Sequence, residues 1–196
     1  MTMKTYLFTI IIFLSLIFNP LKVYSQLTDA EINSIMSLRE EEKVAYDVYT
    51  FMFEKYESKV FKNIAENEKD HMDKIKELII QFNLNDPLSG ISDQKGVFNN
   101  KKMQALYDEM IMAGNYGLLD ALRAAARFEE TDIIDLRNDL SAASDQTVVN
   151  TYINLESSSQ DHLRALVKVI KDEGISYKPS YLSKEDFDKI MSVKTK

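Results

Sequence analysis

The chain has 196 residues, with 24 Lys and Arg against 31 Asp and Glu and a formal net charge of −7. That acidity argues against nucleic acid, whose binding rests on neutralised phosphates. The absence of cysteine excludes disulfide staples, a thiolate-ligated cluster, a lipidated cysteine and a cysteine nucleophile.

Residues 1–25 read as a secretory signal. Lys4 supplies the positive start, Tyr6 to Phe18 is an apolar run too short to span a bilayer comfortably, and Ser25 suits cleavage before Gln26. An uncleaved anchor is the rival reading, weakened by the short run and by Pro20. Either way the domain is expected outside the cytoplasm, periplasmic or extracellular, and clear of the membrane once the signal is cut. Cleavage removes Lys4 and Lys22 but no acid, leaving 22 basic and 31 acidic residues and a net charge of about −9.

The rest is expected to be all-α, because five glycines and three prolines leave few breaks in stretches rich in Leu, Ile, Ala, Met, Glu and Lys. Residues 26–176 are expected to form one bundle and 177–196 a tail. The first helix starts at the capping-box spacing Thr28 to Glu31 and runs to about Tyr56. The second runs from about Ser58 to Phe82. Residues 83–100, rich in Gly, Pro, Asn, Asp and Ser, make a long connection of the kind that crosses over in bundles. A short extra helix over 101–112 ends in a turn at Gly114-Asn115. A long helix over 116–140 follows, breaks at 141–144, and gives way to a last one over 145–172 that Gly174 stops. The tail carries a short helix capped at Ser183.

Steps of three and four along each helix give the face that points inward. They read Ile35, Leu38, Glu42, Ala45, Tyr49, Met52 on the first helix and Phe61, Ile64, Glu68, His71, Ile75, Leu78, Phe82 on the second. The long helix after Gly114 gives Leu118, Leu122, Ala125, Glu129, Asp132, Leu136, and the last gives Tyr152, Leu155, Ser159, His162, Leu166, Val169. Every stripe is apolar at both ends and polar near its middle. Bundling them gathers Glu42, Glu68, His71, Glu129, Asp132 and His162 at one level of the core, with no Lys or Arg on the stripes to neutralise four carboxylates.

Two divalent cations would balance four carboxylates, and oxygen-rich ligation with a few imidazoles suits iron or manganese, with zinc as a further option. Glu-x-x-His alone is a common surface pair. Here the chain's two histidines both fall on core stripes beside aligned acids. A stripe through Leu119, Leu122, Ala126, Glu130 and Ile133 is almost as good as the one through Glu129, which is preferred because it also turns Asp132 inward. Glu40, Glu41, Glu66 and Asp70 read as solvated faces, and Tyr49 and Tyr152 as core tyrosines, Tyr49 within reach of a ligand carboxylate.

These residues carry a resemblance. In Leu38-Arg-Glu-Glu-Glu-Lys-Val-Ala-Tyr-Asp-Val-Tyr49, Ile64-Ala-Glu-Asn-Glu-Lys-Asp-His71, Leu106-Tyr-Asp-Glu-Met110, Glu129-Glu-Thr-Asp-Ile-Ile-Asp-Leu136 and His162-Leu-Arg-Ala165, the chain resembles the ferritin-like superfamily. More narrowly, it resembles the bacterial and archaeal proteins grouped as DUF2202. The resemblance implies a ferritin-like four-helix bundle with a di-iron or di-manganese carboxylate site and oxidase or peroxidase chemistry. It matches Glu42 to the first-helix glutamate, Glu68 and His71 to the Glu-x-x-His of the second, Glu129 to the third-helix glutamate, and Asp132 to the extra acid of rubrerythrin-like members. The fourth helix of that family repeats Glu-x-x-His; here His162 is preceded by Ser159. Full di-metal ligation therefore stands against loss of the metal chemistry in a bundle kept for structure or interaction. Without cysteine, an electron donor would be external. The sequence leaves metal identity, turnover, and a monomer or homo-oligomer open.

Overall fold

Thr28 accepts a hydrogen bond from the Glu31 amide while the Glu31 carboxylate accepts from the Thr28 amide, so the capping box is complete. From it springs α1 (Asp29–Tyr56), followed by α2 (Lys59–Gln81), α3 (Lys101–Asn115), α4 (Leu118–Ala142), α5 (Gln146–Asp172) and α6 (Lys184–Ser192). The structure, a computed structural model, describes residues 26–193, and these are all helix and connection with no strand among them. The expected signal segment lies outside the described residues. Within them no helix is long and apolar enough to cross a membrane.

The architecture is a helical bundle. The most extensive packing joins α1 to α2 and α4 to α5; α2 also meets α5 and α1 meets α4, so these four long helices enclose a shared interior. α3 packs across α1 and α4, and α6 rests on α5. Two apolar clusters fill the interior. One holds Tyr49, Met52, Phe61, Leu122, Phe128 and Leu166, the other Ile35, Leu38, Ile75, Leu136, Tyr152 and Leu155. Apart from Phe128, which no predicted stripe includes, these residues are the two ends of the predicted stripes, and the polar residues lie between them.

The connection over 83–100 runs along α1 and is pinned to it by buried charge. Arg39 donates to Asp86 (3.2 Å) and to the Met72 carbonyl (2.9 Å). Lys43, fully buried, pairs with Asp47 at 2.5 Å, donates to the Gln94 carbonyl and lies over the Phe98 ring. Asp47 in turn accepts from the Gly96 amide. These cations spend their charge on the connection rather than on the interior acids.

Three boundaries differ from expectation. α3 continues through Gly114 to Asn115. The glycine marks a close approach: a Cβ there would lie 3.0 Å from the Met52 side chain, and the Gly114 carbonyl accepts from the Tyr56 hydroxyl. α4 starts at Leu118 and runs to Ala142, past the expected break, with the Ser141 hydroxyl bonded back to the Asn138 carbonyl. The tail helix is capped by Ser183 as expected.

Candidate metal centre

Residues three apart on a helix share a face, and that spacing brings Glu68 and His71 inward on α2, Glu129 and Asp132 on α4, and Ser159 and His162 on α5, opposite Glu42 on α1. All seven are buried. Glu68 sits between the two imidazoles. Its Oε2 is 2.7 Å from His71 Nδ1 and its Oε1 is 3.1 Å from His162 Nδ1. Glu42 Oε2 lies 3.4 Å from His71 Nδ1, and Glu129 Oε2 lies 3.4 Å from His162 Nδ1. The rings stack with centroids 5.8 Å apart.

Two triads result, Glu42–Glu68–His71 and Glu68–Glu129–His162. In each, one donor atom from every residue lies within 4.8 Å of the others, and Glu68 is common to both. Five of the six predicted site residues therefore converge. Asp132 is the exception. It faces the same interior but is held by Ser159, whose Oγ is 2.5 Å from Asp132 Oδ2 and 2.9 Å from the Leu155 carbonyl.

The electrostatics follow from burial among like charges. Burial, reinforced by Glu68, lifts the Glu42 carboxyl to about 8. Burial also raises Glu129, and raises Asp132 well above its ordinary range with Glu42 and Glu129 adding. Glu68 goes the other way: against burial, His162 and His71 hold it below the usual carboxylate range. Burial alone would lower both imidazoles, but Glu42 and Glu68 lift His71 to about 10, and Glu68 and Glu129 lift His162 well above normal. In the absence of a cation, protons supply the positive charge that balances the carboxylates, and a bound cation would displace them.

Among the described residues three buried side-chain polar atoms have no hydrogen-bond partner, and two of them belong to the triads, Glu42 Oε1 in one and His162 Nδ1 in the other; the third is Arg164 Nε. His162 Nδ1 nevertheless lies within ion-pair reach of two carboxylates. An unmet buried polar atom costs about 1–3 kcal/mol. The Tyr49 hydroxyl donates to Glu129 Oε1, and its ring lies beside Phe61 and Phe128. Tyr152 is elsewhere, bonded to Ser34 at 2.7 Å.

A family model described as an uncharacterized protein domain, DUF2202, matches residues 31–194. The chain belongs to the DUF2202 family. The matched span holds all six predicted ligands and Ser159. This DUF2202 chain is also similar to a protein of Methanocaldococcus jannaschii described as uncharacterized protein MJ0754, at 37% identity over 169 residues, 86% of this chain and 90% of that one. A crystal structure titled hypothetical protein MJ0754 from Methanococcus jannaschii superposes with a TM-score of 0.83 at 36% identity, covering 87% of this chain and 96% of that one.

The choice between Glu129 and Glu130 resolves by partner, since both are buried. Glu130 turns away from the triads and accepts from the Tyr177 hydroxyl (2.5 Å) and the amides of Ser180, Tyr181 and Leu182 (2.7–3.1 Å). Glu66 and Asp70 are solvated as expected, but Glu40 and Glu41 are not. Glu40 is buried and accepts from Asn100. Glu41, half-buried, lines a cavity of about 170 Å³ with Asp135 and Asp139, and burial together with Asp132 and those two acids lifts it to about 8. The sequence signal for Glu130 was the competing stripe on α4. For Glu40 and Glu41 there was none, because their cover comes from residues distant in the chain.

Proposed function

We propose that this protein is an exported, metal-binding, ferritin-like four-helix bundle whose centre takes a pair of divalent cations, iron or manganese before zinc. The observation that carries the reading is that each triad contains one buried donor atom with no partner, Glu42 Oε1 and His162 Nδ1. The donor set fits. Three atoms each about 2 Å from one ion lie within about 4 Å of one another, close to the spread within each triad. Carboxylate oxygens with one imidazole per ion suit iron and manganese.

When bound, an iron or manganese pair would supply electrons to oxygen or peroxide, which zinc, having no redox change, would not. The protein's own part is positional. Glu68 offers one oxygen to each half of the centre, the histidines offer Nδ1, and the Tyr49 hydroxyl fixes the Glu129 carboxylate. The apolar clusters on either side exclude water. With no cysteine in the chain, turnover would draw on an external electron donor, so binding is the primary proposal and oxidase or peroxidase chemistry its extension. Export rests on the N-terminal pattern of Lys4, the apolar run and Ser25.

A second reading, a bundle that has kept the scaffold for structure or interaction, is favoured by Ser159 standing where a fourth-helix glutamate would complete the set. Elemental analysis after purification without chelator separates the two. Metal as isolated, or uptake of Fe(II), Mn(II) or Zn(II) that Glu68→Ala abolishes, is expected; no uptake, with melting temperatures unmoved by metal, refutes the proposal.

A further inference from the structure

α5 carries three consecutive serines, Ser157-Ser158-Ser159, where it passes the centre. Serine is a poor residue for a helix interior, because its hydroxyl competes for the backbone. The usual settlement is a bond back to the carbonyl four residues earlier, as Thr151 makes to Thr147 and Ser159 to Leu155, both at 2.9 Å. Ser158 does otherwise. Half-buried, it reaches forward to His162, one turn on, its Oγ 3.4 Å from Nε2 of the ring. The other ring nitrogen, Nδ1, is the buried atom with no hydrogen-bond partner, 3.1 Å from Glu68 Oε1 and 3.4 Å from Glu129 Oε2. The imidazole is thus divided, with Nε2 toward a hydroxyl and Nδ1 toward two carboxylates.

That division is what a metal demands of an imidazole. A neutral ring that gives the lone pair of Nδ1 to a cation keeps its hydrogen on Nε2. An acceptor for that N–H fixes the ring's orientation and makes the ligating nitrogen a better donor. Among the described residues Ser158 Oγ is the one group hydrogen-bonded to His162 Nε2. His71 differs. Its Nδ1 meets Glu68 at 2.7 Å, and no group among the described residues bonds to its Nε2.

We infer that Ser158 is the positioning residue of His162, holding Nε2 so that Nδ1 is presented to the half of the centre formed by Glu68 and Glu129. The inference rests on the metal-binding reading above. It goes beyond that reading by naming a residue outside the ligand set that sets the affinity of one half and leaves the other alone.

The test uses the full chain, isotopically labelled at its histidine nitrogens, and Zn(II) alone, which is diamagnetic and suits nuclear magnetic resonance. Two histidines give two rings, told apart in a His71→Gln sample made for assignment only. In wild type the His162 Nδ1 resonance is expected to move with Zn(II) while Nε2 keeps a slowly exchanging hydrogen. Ser158→Ala is expected to weaken Zn(II) at His162 by about tenfold, read from that resonance in competition with a chelator. The Nε2 hydrogen should exchange faster, and the His71 resonances should follow their wild-type course. Ser158→Thr, which restores the hydroxyl, is expected to return both properties. Alanine is a better helix former than serine, so the fold is not at risk, and circular dichroism confirms it.

Unchanged affinity and exchange at His162 in Ser158→Ala overturns the inference and leaves metal binding standing. So do equal changes at His71, equal losses in Ser158→Ala and Ser158→Thr, or Zn(II) bound through Nε2. A wild type that ignores Zn(II) also overturns it, and one that ignores Fe(II) and Mn(II) as well overturns the metal-binding reading with it.

Discussion

Glu130 provides a test that involves no metal at all. Replacing it with Ala removes the acceptor for the Tyr177 hydroxyl and for the amides of Ser180, Tyr181 and Leu182. A hydrogen bond to a charged group contributes about 1.5–3 kcal/mol, and a buried donor left without an acceptor costs about 1–3 kcal/mol, so four donors at face value exceed about 6 kcal/mol. The loss cannot grow that large, because the tail can undock and let water satisfy the amides. Undocking exposes Leu182, Phe187 and Ile190, worth about 1.5–3 kcal/mol each and opposed by the freedom regained in the tail. A global loss of about 2–4 kcal/mol is therefore expected, together with rapid amide exchange confined to residues 177–192. Glu130→Gln should fare little better, since its amide group turns a donor toward backbone donors. Urea denaturation and hydrogen exchange by mass spectrometry measure both effects. A loss below about 0.5 kcal/mol with unchanged exchange in the tail would refute the reasoning.

Further outcomes follow from other buried charges and from the backbone. Against burial, the amides of Asp145, Ser144 and Thr28 pull the Glu31 carboxyl down to about 2 from 4.5; its contribution is complete above pH 4.5 and fades as pH falls toward 2. Glu31→Gln should cost about 2 kcal/mol at pH 7 and flatten urea-measured stability across that acid window; an unaltered slope counts against it. In the protein without bound metal, His71 is lifted from 6.5 to about 10 and Glu42 from 4.5 to about 8. Both raised groups hold protons that the unfolded chain releases, so these two groups should make stability fall as pH rises, through Glu42 between 4.5 and 8 and through His71 between 6.5 and 10, and a flat or rising melting temperature between pH 6.5 and 10 in scanning calorimetry would contradict the site's charge balance. Gly96 has φ +72° and a Cβ there would meet the Tyr107 hydroxyl at 2.7 Å, so Gly96→Ala should lower stability by about 1–3 kcal/mol. Lys43→Met leaves Asp47 buried without its cation and should cost about 3 kcal/mol; thermal melts within a degree or so of wild type would argue against both substitutions.

What was legible in the sequence was whatever repeats with the helix. Thr28 and Glu31 marked the start of α1, and the four stripes gave the apolar ends and the polar middle. Gly114 reads as a helix end because a glycine that ends a helix and one that admits a neighbour look alike in one dimension. Glu130 was harder. A stripe assumes one buried face, whereas α4 buries two, one against the interior and one beneath the tail. Arg39 and Asp86, 47 residues apart, show the same limit. Their burial depends on a connection whose path no local pattern describes, and the acids that cover Glu41 come from another helix that its own stripe does not show.

The pairing of the helices has a kinetic side. α1 with α2, and α4 with α5, are hairpins closed over short stretches of chain, whereas the Tyr49 to Glu129 bond joins residues 80 apart. Loop closure favours the hairpins first. Glu42 and Glu68 then ride on one half and Glu129 and His162 on the other, each still hydrated, and they lose water only when the halves dock. Docking is therefore a step at which acid, alkali or a cation should change the folding rate, and the α1–α2 hairpin, which carries Glu42, Glu68 and His71 together, should respond to them as well.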